Sequence, residues 1–115
     1  MVNNLEYIYT ILNEVLPNNV YYAVSIKDNI ELPIIVYQEL NKRGKTYADD
    51  SYLLKELTIQ ITLITPNKNI QLEKMLENKL KLYDIEFQMI SEFYIAENGL
   101  YRIYEIKMEE SKYEQ

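Results

Sequence analysis

The sequence predicts an α+β domain in which a mostly antiparallel sheet carries two helices on one face. Residues 57–63 alternate apolar and polar side chains, as a strand with one buried face does. Residues 72–83 place apolar side chains at helical spacing, and Asn98-Gly99 separates two apolar runs as the turn of a β-hairpin does. The predicted order is α-β-β-β-α-β-β within a single domain of 115 residues.

The first helix is predicted to begin at a cap on Asn3 or Asn4 and to end at Pro17. Its apolar face comprises Leu5, Ile8, Leu12, and Val15 or Leu16. Strands are predicted over residues 20–26 and 34–40. Pro33 opens the second of these, where its missing N–H falls at the end of the strand.

Residues 41–51 are predicted to form a long loop, because the run NKRGKTYADD has no periodicity and exceeds a tight hairpin. Opposite charges a few residues apart suit a head-to-tail contact between subunits. The candidate interface residues are Lys42, Arg43, Lys45, Tyr47, Asp49 and Asp50. A solvated connection is the alternative interpretation of the same residues.

The long strand is predicted over residues 52–65, a run that reaches ~45 Å at ~3.3 Å per residue. A strand of that length either bends at a bulge or extends toward a neighbouring chain. Thr65-Pro66 is predicted to start the second helix, over residues 67–82, with Glu73 and Glu77 facing solvent. The predicted core comprises Leu57, Ile59, Ile61, Leu63, Leu72, Leu76 and Leu80.

The chain is predicted to end in a hairpin of residues 85–96 and 100–108, followed by a frayed tail over residues 109–115. A two-residue Asn98-Gly99 turn places residue 97 opposite residue 100. That register pairs Met89 with Met108, and Phe93 with Tyr104.

Composition limits the chemistry that the chain can perform. It has no Cys and no His, which removes disulfides, thiolate nucleophiles and imidazole catalysis, and its net charge of -6 opposes binding to a phosphate backbone. Adjacent Asp49 and Asp50 lack the spaced ligands of a calcium loop. We therefore predict no catalytic, cofactor-binding or metal-binding residues. No apolar run is long enough for a membrane span and the start lacks a basic signal, so we expect folding in the cytoplasm.

Residues 33–65, PIIVYQELNKRGKTYADDSYLLKELTIQITLIT, combine a Pro-led apolar strand, a polar loop closing on YADD and a long alternating strand followed by a helix. This segment resembles the tail-terminator (tail completion) proteins of long-tailed bacteriophages and prophages. The resemblance runs on through the second helix and the Asn-Gly hairpin, so it covers most of the chain. Head–tail joining proteins share the size and the element order.

The resemblance implies a non-catalytic structural subunit without cofactors, located in the tail or neck of the virion after assembly in the bacterial host cytoplasm. It implies a ring of identical subunits, a hexamer, that stops growth of the tail tube and provides the head-joining surface. The implied partners are further copies of the chain, the tail tube protein and a head-completion or connector protein. Genome DNA would pass through the ring without specific binding, and an acidic lumen that lets it slide is our hypothesis.

Two alternatives remain open from the sequence. The first is a head–tail connector, that is, a stopper or neck protein. The second is a small non-catalytic adaptor that binds a partner through a sheet edge.

Overall fold

A computed structural model describes residues 4–23, 30–44, 47–48, 51–52 and 54–111 and has an α+β fold. Its elements are α1 (Asn4–Val15), β1 (Val20–Tyr22), β2 (Ile34–Gly44), β3 (Tyr47–Ala48), β4 (Ser51–Tyr52), β5 (Leu54–Thr65), α2 (Ile70–Leu82), β6 (Phe87–Ile95) and β7 (Gly99–Ser111). The helices and the long strands follow the predicted order along the chain. The short strands β3 and β4 pair with each other in the region predicted as a loop.

The main sheet has five strands in the order β1-β2-β5-β7-β6. The pairs β2–β5, β5–β7 and β6–β7 are antiparallel, whereas β1 runs parallel to β2. The sheet is therefore mixed, and β1 is the exception to the predicted antiparallel arrangement. Strands β1 and β6 form its two edges.

Strand β5 lies at the centre of the sheet. Its pairing with β7 runs without interruption from Leu54 opposite Ser111 to Thr65 opposite Leu100. A bulge, one of the two alternatives for a strand of this length, is found instead in its neighbour β2, between Glu39 and Asn41. The extra residue there bends β2 while β5 keeps its strict alternation.

Both helices pack on the same face of the sheet. The inward side chains of α1 and α2 form one cluster with those of β5, and every predicted core residue from Leu57 to Leu80 is buried, which confirms that prediction. The helical part of this cluster comprises Ile8, Ile11, Leu12, Val15, Leu72, Leu76 and Leu80. Met75, one of the apolar residues at helical spacing in residues 72–83, is half exposed.

Helix α2 begins later than predicted. Asn69 is its N-cap, and the Asn69 side chain accepts a hydrogen bond of 3.0 Å from the backbone N–H of Leu72. Lys79 and Lys81 lie in the last turn, where positive charge is favourable against the helix dipole.

Two predicted loop or tail segments are strands. Residues 41–44 continue β2 and pair with residues 55–58 of β5, and residues 109–111 complete β7. Strand β5 is long and offers backbone N–H and C=O groups to a neighbouring strand on each side. Residues 41–44 and 109–111 pair with these groups, although their composition is mostly polar. Residues 112–115 of the predicted tail lie outside the described residues, as do residues 24–26 of the first predicted strand.

The predicted register of the last hairpin is wrong. Ile95 lies opposite Gly99, Phe93 opposite Tyr101, and Met89 opposite Tyr104. The turn has three residues, and Glu97 takes the positive φ of 79° that the third position of a type II turn requires. Gly99, with φ of 114°, is needed for close approach to β5, because an added Cβ would lie 2.5 Å from the Thr65 carbonyl oxygen.

The molecule is elongated along its strands. Its extents are 52 × 25 × 22 Å, and its radius of gyration is 15.5 Å. A compact domain of this length has a radius of gyration of about 13 Å. The long strands therefore extend beyond the layer of the two helices.

We predict that Ile61→Ala lowers the free energy of unfolding by about 2–5 kcal/mol, because it removes a fully buried side chain beneath both helices. Urea unfolding measures the loss. Met75→Ala, at a half-exposed position of α2, is the matched control and should change stability by less than about 0.5 kcal/mol. A loss at Ile61 no larger than that of the control would contradict the assigned core.

Candidate assembly surface

Three of the six residues predicted as an interface lie in described strands. Lys42 and Arg43 lie on β2, opposite Leu57 and Glu56 of β5, and Tyr47 lies on β3. Lys45, Asp49 and Asp50 lie outside the described residues.

Five of the twelve exposed large hydrophobic side chains among the described residues lie on the edge strand β6. Strand β6 spans nine residues, and none of them is buried. Five of its apolar side chains are 38% to 62% exposed. We call these the β6 strip: Met89, Ile90, Phe93, Tyr94 and Ile95.

The β6 strip faces both sides of the sheet. On the side without helices, the Phe93 ring stacks on Tyr101, with centroids 5.4 Å apart and an interplanar angle of 11°. On the helix side, Met89 lies opposite Tyr104. The irregularity between Met89 and Ser91 lets β6 present apolar side chains on both faces.

The only charged residue of β6, Glu92, is bound to its own chain. Its Oε1 accepts hydrogen bonds from Lys68 Nζ at 2.9 Å and from Arg102 Nη1 at 2.7 Å. Edge strands usually avoid further pairing by displaying free charges, above all lysine. The pairing of Glu92 leaves the β6 strip without a free charge of its own.

Arg102 is the centre of an ion network between β6, β7 and α2. Its Nη2 lies 3.1 Å from Glu77 Oε2, and its Nε donates a hydrogen bond of 2.6 Å to the Tyr104 hydroxyl, which in turn donates one of 2.6 Å to Glu77 Oε2. Glu73 completes the group, 3.0 Å from Lys68 and 3.6 Å from Arg102. We call this set the Arg102 network: Lys68, Glu73, Glu77, Glu92, Arg102 and Tyr104.

The network changes the pKa values of its members. Burial alone would raise the pKa of Glu77, but the hydrogen bonds from Tyr104 and Arg102 outweigh it and hold the pKa below 4.5. Hydrogen bonds from Lys68 and Arg102 likewise lower the pKa of Glu92. Burial and the hydrogen bond to Glu77 raise the pKa of the Tyr104 hydroxyl. Glu77 and Glu92 are therefore charged at neutral pH, where the network is favoured.

A second exposed aromatic group lies at the opposite edge of the sheet. Tyr9 of α1 and Tyr22 of β1 flank the buried ring of Tyr37, with centroid distances of 6.3 and 5.0 Å. The outer rings of Tyr9 and Tyr22 are 40% and 44% exposed. We call these two residues the α1–β1 patch.

Other surface features offer less to a ligand. A shallow groove between the end of α2 and the start of β6 is lined by charges of both signs, including Lys81, Glu86, Glu105 and Lys107. Within the described ranges, no group of three or more acidic side chains is arranged to hold a metal ion. No helix in this part of the chain is both long and apolar enough to cross a bilayer.

Sequence reasoning missed both the Arg102 network and the β6 strip. Glu73 and Glu77 were predicted to face solvent, yet Glu73 is buried and both contact Arg102. The available signal was the composition of residues 87–95, FQMISEFYI, which holds one charge in an otherwise apolar or neutral strand. Its position at the sheet edge could not be read from the composition.

The chain matches no protein-family model, and no curated protein matches it as a relative.

We predict that Arg102→Met lowers the free energy of unfolding by about 2–4 kcal/mol at pH 7, because it leaves three carboxylates crowded at a partly buried site. The folded-state pKa values of Glu77 and Glu92 lie below the ordinary 4.5. The stabilisation is therefore complete above pH 4.5 and is lost as the pH falls through those folded-state values.

The difference in unfolding free energy between wild type and Arg102→Met should accordingly be smaller at pH 3 than at pH 7. Denaturant unfolding at each pH measures it. Lys68→Met is the control, because Lys68 contacts two of the same glutamates from an exposed position and should cost less than about 1 kcal/mol. A difference that stays constant across this pH range would show that Arg102 stabilises the fold by packing alone.

Proposed function

We propose that this chain is a structural subunit of a bacteriophage tail, a tail-terminator protein that assembles as a ring on the end of the tail tube. The ring stops tube growth and provides the surface that joins the head. The observation that carries the proposal is the β6 strip, an apolar edge strand whose single charge is bound within the chain. Exposed apolar patches of this kind mark contact surfaces.

The proposal also draws on the sequence resemblance and on the elongated shape of the molecule. The central strands extend beyond the helix layer, as the length of β5 suggested. Subunits of a ring bury surface of this kind against each other and against the structure that they cap. A hexameric ring in the virion, with the tail tube protein and a head-completion protein as partners, is part of the same proposal.

A small adaptor module is the second candidate, and the exposed edge of β6 favours it as well. An edge strand with free backbone groups can accept an extended peptide from another protein as an added strand. Such an adaptor would remain monomeric and would have no effect on tail tubes. The same electron-microscopy experiment therefore separates the two functions.

We predict that the purified protein, added to growing tail tubes, produces tubes of uniform length with a ring at one end. Negative-stain electron microscopy measures the length distribution and shows the ring. The double variant Arg43→Glu with Lys45→Glu should abolish capping, because it reverses the charge of the predicted contact in residues 41–51. Because residues 41–44 belong to β2, the far-UV circular dichroism spectrum of the double variant must be compared with that of wild type to show that the variant still folds.

The matched control is Arg43→Gln with Lys45→Gln, which removes the charge without placing a carboxylate opposite Glu56. This control should fold like wild type and cap tubes less well. Tubes that grow without limit in the presence of wild type would contradict the terminator function. Normal capping by the charge-reversed variant would show that residues 41–51 make no essential contact.

A further inference from the structure

We propose that the β6 strip of one subunit packs against the α1–β1 patch of the next copy of this chain. The contact is head-to-tail, and each subunit contributes the two different surfaces to two different neighbours. This inference rests on the proposed function, because a ring requires a contact between neighbouring copies. It adds two apolar surfaces to the charged contact predicted in residues 41–51.

The topology places the two surfaces where a head-to-tail contact needs them. Strands β1 and β6 are opposite edges of one five-stranded sheet. At about 4.8 Å per strand spacing, these edges lie roughly 19 Å apart. Two different patches on opposite edges cannot both be covered by a single twofold contact, whereas repeated head-to-tail contacts cover both and close into a ring if the rotation permits.

The exposed apolar area supports a contact near the lower size limit of specific interfaces. At roughly 200 Å² for a large side chain, the exposed fractions of the β6 strip leave roughly 450 Å², and those of Tyr9 and Tyr22 leave roughly 170 Å². Non-polar atoms make up about 57% of a typical interface, so about 600 Å² of apolar surface corresponds to a contact of roughly 1,100 Å² in total. This value just exceeds the threshold of about 1,000 Å² for a specific interface.

The chemistry of the two surfaces is matched. The β6 strip is apolar and carries no free charge, because Glu92 is bound to Lys68 and Arg102. The α1–β1 patch offers tyrosine rings, whose flat faces pack on apolar side chains while the hydroxyl groups stay at the wet rim. The Arg102 network thus pairs the one charge of β6 within its own chain.

Two single variants test the pairing of surfaces. Tyr94→Glu places a charge in the β6 strip, and Tyr9→Glu places one in the α1–β1 patch, both at exposed positions. Each should weaken self-association at least tenfold, measured as mass against concentration by light scattering. Met75→Glu, an equally exposed apolar position on α2, is the matched control and should assemble like wild type. Ile90→Glu and Tyr22→Glu serve as second variants if either of the first two fails to fold.

Mixing the two variants gives the decisive result. Each retains one intact surface, so an equimolar mixture of Tyr94→Glu and Tyr9→Glu should form a dimer of twice the 13.8 kDa subunit mass and stop there. A mixture that stays monomeric, or a variant that assembles like wild type, overturns the inference. A wild type that stays monomeric also overturns the inference. Dimers formed by Tyr9→Glu alone would overturn it too, because they would indicate a contact of β6 with β6.

Capping of tail tubes by the wild-type protein is measured separately from self-association, so that the two proposals can fail independently. If wild type caps tubes and the variants fail to complement each other, the assigned surfaces are wrong and the terminator function stands. If the variants complement and wild type leaves tubes uncapped, the surfaces are right and the terminator function is wrong.

Discussion

The strict alternation of β5 is the constraint on which the rest of the structure depends. Leu57, Ile59, Ile61 and Leu63 all face the helices, and no irregularity interrupts the pairing of β5 with β7. A shift of one residue would move this whole set to the other face of the sheet, so the register is strongly specified. The registers of β2 and β7 against β5 then decide which side chains reach each face, and the sheet order leaves β1 and β6 at the edges.

The Arg102 network links that frame to the proposed contact surface. Tyr104 belongs to the buried core, and its hydroxyl connects Arg102 and Glu77 at the border of that core. The same guanidinium holds Glu92 of the edge strand. Burial of a polar group is tolerated because each partner is satisfied by hydrogen bonds. One cluster of side chains therefore fastens α2 to the sheet and leaves the edge strand apolar.

The parts of the fold set by local periodicity could be predicted from the sequence, and the parts set by distant contacts could not. The buried faces of β5 and α2 follow from spacing, and every predicted core residue is buried. The hairpin register was wrong because Gly99 serves the close approach to Thr65 rather than the second position of a two-residue turn. The prediction that Glu73 and Glu77 face solvent was wrong because their partner Arg102 lies in another element. No local pattern in the sequence indicates this contact. The edge position of β6, and hence the contact surface, depends on the order of all five strands.

The most direct test of the β6 strip as a surface between copies is amide hydrogen exchange across residues 87–95. On an edge strand, alternate amides point away from the sheet and exchange freely unless another chain covers them. These amides should exchange at least tenfold more slowly in the assembled wild type than in the monomeric Tyr94→Glu variant. Amides of β5, which are paired on both sides, should exchange equally in the two. Equal exchange of the outward β6 amides in assembly and monomer would contradict the burial of this edge between subunits.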